Sequence, residues 1–256
     1  MHIETMAQRH SYILNRLQHD QNIRVADLCA ELNVSAVTIR KDLKLLSDKK
    51  LLYRSHGSIS LQNPYATDRD VTEKGSILTD QKTRIGKQAA TLLEPGEAVI
   101  IASGSTVLQL ALAIPQDMPL TVLTSAMNIS MALIDKPNIE IVQLGGIVRK
   151  SSMSAIGPYA EDLLAHFSCT KLFMGVDGLD IDQGCTTTNM LEAQLNKAMI
   201  HTAQEVIVLA DSSKFGKRSF GKICPLADLH HIITDTGVNK NTLELLENLG
   251  IEVTCV

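Results

Sequence analysis

The stretch Ala98-Val-Ile-Ile-Ala-Ser-Gly-Ser-Thr106 joins an apolar run to a small polar turn that opens a helical pattern. Such a turn suits anion binding. Amides at a helix start converge on negative charge, and the hydroxyls of Ser103, Ser105 and Thr106 add donors. Gly104 lets the backbone come close to a ligand. Four further apolar runs end in polar or glycine-rich turns: Thr124-Ser125, Gly145-Gly146, Asp177-Gly178 and Asp211-Ser-Ser-Lys214. Lys214 and Arg149 are the candidate cations for a phosphate, and Asp177 and Asp180 the candidate acceptors for sugar hydroxyls. Near the N-terminus, Thr38, Arg40, Lys41 and Lys44 share one helical stretch. Arg offers two donors to guanine, and Thr meets a thymine methyl or a phosphate, so these residues suit the major groove of DNA.

Other constellations carry less. His230 and His231 are adjacent, so on a strand they face opposite ways and share no metal. The cysteines at 29, 169, 185, 224 and 255 lie far apart with no CxxC pair, which fits reduced thiols and neither a disulfide framework nor a zinc site. No metal and no cofactor are expected.

The elements that must position these residues follow from the hydrophobic pattern. Ile13, Leu14 and Leu17 mark one face of a helix from Arg9 to Leu17, Ile23–Val25 is extended, and Leu28 and Leu32 mark a second helix over 26–32. Asn33 suits the left-handed end of that helix, and Ser35 the N-cap of a third helix reaching about Lys49. The inward face of the third helix is Val37 or Ile39, with Leu43 and Leu46. Two short runs around His56-Gly57 read as a hairpin. The outline is a winged helix-turn-helix over residues 1–61, its wing bringing Arg54 and His56 to the DNA backbone or minor groove. Residues 62–80, with Pro64 and several Asp and Thr, read as a linker. From 81 to 256 apolar strands (98–102, 120–124, 139–144, 171–176, 205–210, 231–235 and 252–256) alternate with helices. That order specifies a Rossmann-like α/β domain with a mostly parallel sheet covered on both faces, and ligands bind such sheets at the carboxyl ends of the strands.

Composition agrees. The 256 residues carry a net charge of −4, and 45% are hydrophobic, which excludes wholesale disorder. Aromatics make up 3% with no Trp, so neither a lectin-like surface nor a stacking platform for single strands is available. No apolar run approaches the roughly 18–20 residues of a membrane span, and Met1–His10 lacks the apolar stretch of a signal peptide, so the expected location is the cytoplasm. Residues 1–60 hold nine Lys/Arg against six Asp/Glu, and the remainder fifteen against twenty-two. A basic head on an acidic body fits a nucleic-acid reader.

The ordered run Arg9-x3-Ile13-x3-Leu17, then Ser35-x2-Thr38-Ile-Arg-Lys-Asp-Leu43 and Tyr53-Arg-Ser-His-Gly-Ser58, resembles the signature of DeoR-type bacterial transcription regulators. Further on, Ser103-Gly-Ser-Thr106, Leu144-Gly-Gly146 with Arg149, Met174-Gly-Val-Asp-Gly178 with Gly184-Cys-Thr-Thr187, and Leu209-Ala-Asp-Ser-Ser-Lys-Phe-Gly216 resemble that family's sensor domain, which shares its fold with ribose-5-phosphate isomerases. Within that family the chain looks most like the glucitol-operon type, through Gly104-Ser-Thr-Val-Leu-Gln109, Lys171-Leu-Phe-Met174 and Asn196-Lys-Ala-Met199.

The resemblance implies a repressor of a sugar-metabolism operon that binds double-stranded operator DNA. Ser35, Thr38, Arg40, Lys41, Lys44, Arg54 and His56 would face the DNA. A phosphorylated sugar or sugar alcohol would meet Ser103, Gly104, Ser105, Thr106, Thr124, Ser125, Gly145, Gly146, Arg149, Asp177, Asp180 and Lys214. A homodimer or homotetramer with no membrane attachment is expected. Two departures bear on the pocket: many members carry Asp where this chain has Ala102, and Thr-Asn-Ser where it has Thr124-Ser-Ala126.

The alternative is a sugar-phosphate isomerase. Asp177 and Asp180 resemble the Asp-Gly-Ala-Asp stretch of such enzymes, but the following Gly184-Cys-Thr-Thr-Thr-Asn189 lacks their Lys-Gly-Gly-Gly and catalytic Glu. The expectation is therefore a regulator and not an enzyme.

Overall fold

The computed structural model describes residues 5–20, 23–49, 51–55, 58–60 and 68–256. The chain divides into two units, Met1–Thr67 and Asp68–Val256.

The first unit contains α1 (Met6–His19), β1 (Ile23–Arg24), α2 (Val25–Leu32), α3 (Ala36–Asp48), β2 (Tyr53–Ser55) and β3 (Ser58–Ser60). Thr5 and Gln8 close a capping box at the start of α1. Asn33 ends α2 in the left-handed region at φ 51°, and the Ser35 side chain accepts from the Thr38 amide at the start of α3. The helices bury Ile13, Leu17, Leu28, Leu32, Ile39, Leu43 and Leu46 against Ile23 and Ile59. Of the two inward candidates on α3, Ile39 is fully buried and Val37 is 62% exposed, which fixes the helix's rotation. β3 pairs antiparallel with both β1 and β2, so the hairpin is tied to the turn before α2.

The second unit begins with α4 (Val71–Gly75) and α5 (Thr79–Ala90). A seven-stranded sheet follows, built from β4 (Ala98–Ile101), β5 (Leu120–Thr124), β6 (Ile139–Gln143), β9 (Cys169–Met174), β12 (Ala203–Leu209), β14 (His231–Thr234) and β15 (Glu252–Cys255). Every neighbouring pair in it is parallel. Its order is β15-β14-β12-β9-β4-β5-β6.

Alternation along the strands divides the core. Val99, Ile101, Phe173, Ile207 and Leu209 pack on one face with α5, α6 (Ser105–Ala113) and α7 (Met127–Leu133). Ile100, Leu172, Met174, Val206 and Val208 pack on the other with α8 (Pro158–Leu164), α9 (Met190–Thr202) and α10 (Lys240–Asn248). Burial on both faces is why the inner strands read as apolar runs, while the edge strands β6 and β15 keep exposed positions. Two small antiparallel pieces are added: the pair β7 (Ile147–Arg149) and β8 (Ser154–Ile156), and a sheet of β10 (Gly178–Asp180), β11 (Gly184–Thr187) and β13 (Gly221–Cys224).

The chain enters the sheet at β4, runs outward through β5 and β6, and returns to β9 on the other side of β4. The order therefore reverses between β4 and β9, and the carboxyl ends of those two strands flank the crevice where ligands bind in such sheets.

The expected linker over 62–80 is corrected in its second half. Residues from Asp68 belong to the second unit, Asp70 caps α4 through the Thr72 amide, and Val71 is buried. A five-residue helix with one apolar anchor leaves too little periodicity to read. Residues 61–67 lie outside the described residues.

Candidate functional site

On α3 the side chains of Arg40, Lys41 and Lys44 are exposed, and Arg40 and Lys44 lie one turn apart on the same side. Ser35 and Thr38 share a hydroxyl contact of 3.0 Å at the cap, so their first task is to set the helix start. The remaining charge on this stretch has another role: Asp42 is 2% exposed and takes Arg9 Nε at 2.7 Å and His10 Nε2 at 3.3 Å. It pins α1 to α3 and is withdrawn from the surface, which leaves that face of α3 more basic than the residue count implies. Arg54 stands on β2, but its side chain is outside the described set; His56 lies outside the described residues altogether.

The second constellation lies where the topology reverses. A cavity open to solvent is lined by Ser103–Thr106 from the end of β4, Gly175–Asp177 from the end of β9, and Arg149, Thr187, Glu192 and Lys214. Gly104, at φ 143°, turns the chain from β4 into α6 and gives the helix no side-chain cap. Ser105 and Thr106 are buried and line the cavity, and neither hydroxyl has a partner among the described residues. The amides of the first turn converge there with the positive end of the helix dipole.

Charges are arranged around this turn. Asp177 Oδ1 accepts from Lys74 Nζ at 2.7 Å and lies 4.0 Å from Lys214 Nζ, while its Oδ2 takes Thr187 Oγ1 at 3.1 Å and the Thr188 amide at 3.3 Å. Burial alone would raise this carboxyl; the Lys74 and Lys214 charges outweigh it and bring Asp177 to about 2. Glu192 behaves oppositely. Burial raises it against the pull of Arg149, and the nearby Asp177 charge adds to the rise. Its oxygens take Ser103 Oγ at 3.0 Å, Thr187 Oγ1 at 3.1 Å and Arg149 Nη1 at 3.0 Å. The buried Lys82 donates to the carbonyls of Lys74 and Ile77 at 2.5 and 2.6 Å, and its burial lowers its affinity for a proton.

Of the twelve residues expected to meet a ligand, the structure brings seven to this cavity: Ser103, Gly104, Ser105, Thr106, Arg149, Asp177 and Lys214. Thr124, Ser125, Gly145, Gly146 and Asp180 do not line it. Thr124 Oγ1 accepts from the Ala126 amide, and the Ser125 carbonyl takes the Ala155 amide. Gly146, at φ 146°, turns into β7, where a Cβ would stand 2.6 Å from the Ile156 carbonyl oxygen. Asp180 binds the amides of Asp182 and Gln183 and pairs with Arg218.

Lys74, Ser151, Ser152, Thr187 and Glu192 line the cavity without having been singled out. Lys74 sits on the short helix inside the expected linker. Glu192 stands three residues after the N-cap Asn189, whose side chain accepts from its amide, so its spacing signals a helix start and hides the carboxylate's second role. The arrangement presents three cations, two carboxylates and a helix N-terminus in one concavity. A concavity of this make-up can take a phosphate on its cations and helix amides and hydroxyl groups on its carboxylates.

Residues 9–64 match the family model described as a DeoR-like helix-turn-helix domain, and residues 78–236 the one described as a DeoR C terminal sensor domain. The chain is 34% identical over 252 residues to the putative aga operon transcriptional repressor of Escherichia coli O157:H7, covering 98% of this chain and 94% of that protein. It is 30% identical over 241 residues to the HTH-type transcriptional repressor GlcR of Bacillus subtilis, covering 94% and 93%. Among solved structures, ribose 5-phosphate isomerase A from Methanocaldococcus jannaschii superposes over 54% of each chain with a TM-score of 0.40 at 17% identity.

Proposed function

Because this chain belongs to the DeoR family of transcription regulators, we propose that it represses an operon of sugar metabolism and is controlled by a phosphorylated sugar or sugar alcohol. It is a regulator and not an enzyme, as its relatives are named. Among the described residues no helix is long and apolar enough to cross a membrane.

In this reading α3 enters the major groove of operator DNA with Arg40, Lys41 and Lys44, and the β2–β3 hairpin serves as the wing. One head of this size offers too few contacts for operator affinities near 10⁻⁸ M, so the active form is a homodimer or homotetramer on repeated half-sites. The effector's phosphate meets the start of α6, with Ser105, Thr106 and Lys214, and its hydroxyls meet Asp177 and Glu192.

The observation that carries the reading is the start of α6: the hydroxyls of Ser105 and Thr106, with no partner among the described residues, and the first-turn amides face a cavity that Lys214, Lys74 and Arg149 also line. The test is a thermal-shift screen of sugar phosphates beside their unphosphorylated sugars. An effector at about 100 times its Kd adds roughly 2.7 kcal/mol of stability. A sugar that stabilises as well without its phosphate refutes the phosphate assignment.

A further inference from the structure

Arg149 holds two carboxylates. One is Glu192, inside the cavity; the other is Asp68, from the segment that precedes α4. Asp68 Oδ1 accepts from Arg149 Nη2 at 2.5 Å and from Thr188 Oγ1 at 3.1 Å, and its Oδ2 accepts from Ser151 Oγ at 2.7 Å. Three donors from two stretches of the chain, Arg149 with Ser151 and the distant Thr188, thus converge on one carboxylate. Arg149 is 9% exposed in its side chain, Ser151 and Thr188 are half-buried, and Asp68 is 39% exposed, so the guanidinium is built into the unit while the carboxylate sits at its rim. Six residues on, Lys74 reaches Asp177 in the same cavity, and between them the buried Val71 lines its wall. The segment 68–74 is therefore fastened to the cavity at three points, and it is the first stretch of the second unit in sequence.

We propose that Arg149 and Ser151, which line the cavity, form with the adjoining Thr188 a second anion seat at its rim, in which Asp68 is a resident stand-in for a ligand's acidic group. This rests on the effector reading above and deepens it. With one anion seat at the start of α6 and another at Arg149, the ligand class is a sugar phosphate bearing a second acidic group, either a phosphate or a carboxylate. Such a ligand competes with Asp68 for Arg149, and only a ligand that distinguishes the two arrangements of the segment shifts their populations. Unseating Asp68 loosens the point at which the second unit holds the chain leading to the helix-turn-helix.

The alternative is that Asp68 merely props Arg149 in place. The two roles predict opposite effects of Asp68→Asn: a competitor's removal tightens binding of an anion at Arg149, and a prop's removal weakens it. The experiment uses the full chain, wild type and D68N, with glucose 6-phosphate (one anionic group), fructose 1,6-bisphosphate and 6-phosphogluconate (two each). Calorimetric titration gives affinity, and amide hydrogen exchange reports residues 69–77 and 103–107.

The expected result has three parts. At least one two-anion probe binds ten times tighter than glucose 6-phosphate. D68N tightens that probe several-fold and leaves glucose 6-phosphate unchanged. Exchange over 69–77 accelerates both in D68N alone and in wild type with the probe bound, and the more effective probe tells a second phosphate from a carboxylate. If D68N weakens every probe, or exchanges over 69–77 like wild type, the stand-in is refuted while protection of 103–107 still supports the phosphate seat. If no probe protects 103–107, the seat and the stand-in are refuted together.

Discussion

Arg9 Nε donates to Asp42 Oδ2 at 2.7 Å, tying the first helix to the helix that carries Arg40 and Lys44. Asp42 is 3% exposed in its side chain and Arg9 13%, so this is an ion pair withdrawn from water and not a surface pair. The Asp42 contact raises the Arg9 guanidinium above its usual proton affinity, against the opposing effect of burial. Truncating one partner strands the other. Asp42→Ala is expected to cost about 2–3 kcal/mol, slightly below the range for a wholly buried pair because Arg9 keeps some access to water. Urea denaturation of the full chain, followed by a probe in the first unit, measures it. A loss under about 0.5 kcal/mol, the size of an ordinary surface substitution, would show that the helices are held by apolar packing alone.

The same helix makes a prediction about DNA. Arg40→Ala should cost about 1–3 kcal/mol on the operator and relax preference at one base position. Lys44→Ala should weaken all sequences alike and reduce the slope of log K against log salt by about 1. Binding titrations at several salt concentrations separate the two. Unchanged operator binding by both variants, with the fold intact, removes α3 from the groove.

Asp177 gives a pH dependence with a definite sign. Its folded-state value of about 2 lies below the ordinary carboxylate value of 3.8. A depressed carboxyl contributes stability above its unfolded value, and that contribution is lost as pH falls through the folded one. The difference amounts to about 2 kcal/mol at neutral pH, disappearing between roughly pH 4 and pH 2. Asp177→Asn should therefore be less stable than wild type at pH 6, with the gap closing by pH 2. Denaturation curves of both proteins at four or five pH values test this. A gap that stays constant would mean that Lys74 and Lys214 do not stabilise the ionised form.

Much of this was legible in the sequence for a physical reason. A strand buried on both faces must be apolar, as the inner strands largely are, and all seven expected runs became the seven strands of the large sheet, with ends displaced by at most two residues. Ser35 and Asn33 have few uses other than a cap and a left-handed turn, and both serve as such. The residues that escaped do two things at once. Glu192 satisfies the pattern of a helix start and turns its carboxylate into the cavity. Lys74 lies in a stretch whose composition reads as linker, and only its tertiary contact with Asp177 gives it a role. Asp42 looks like a charge that dilutes a basic helix and is in fact buried beneath it. The loops at Thr124-Ser125 and Gly145-Gly146 stand at strand ends as a ligand site requires, but the former binds its own backbone and the latter turns into a hairpin.

Lys214 lines the cavity of the proposed phosphate seat, and it stands on the short turn Ser212–Lys214 that follows β12. A charge-assisted bond of this kind is worth roughly 1.5–3 kcal/mol. Lys214→Ala should weaken sugar phosphate binding at least tenfold in calorimetric titrations. Affinity for the unphosphorylated sugar should not change. Equal losses for both ligands would place Lys214 outside the phosphate seat.

The central claim is that a sugar phosphate in the cavity of the second unit changes how the first unit holds DNA. Fluorescence anisotropy with labelled operator, titrated with the full chain at fixed salt, tests it directly. The titration is repeated with the best stabilising sugar phosphate and with its unphosphorylated sugar. The account predicts at least a fivefold change in operator Kd with the phosphate ester, an equal reciprocal change in ligand Kd on adding operator, and no change with the sugar alone. Operator affinity that does not move at saturating sugar phosphate, or that moves equally with the unphosphorylated sugar, would contradict it.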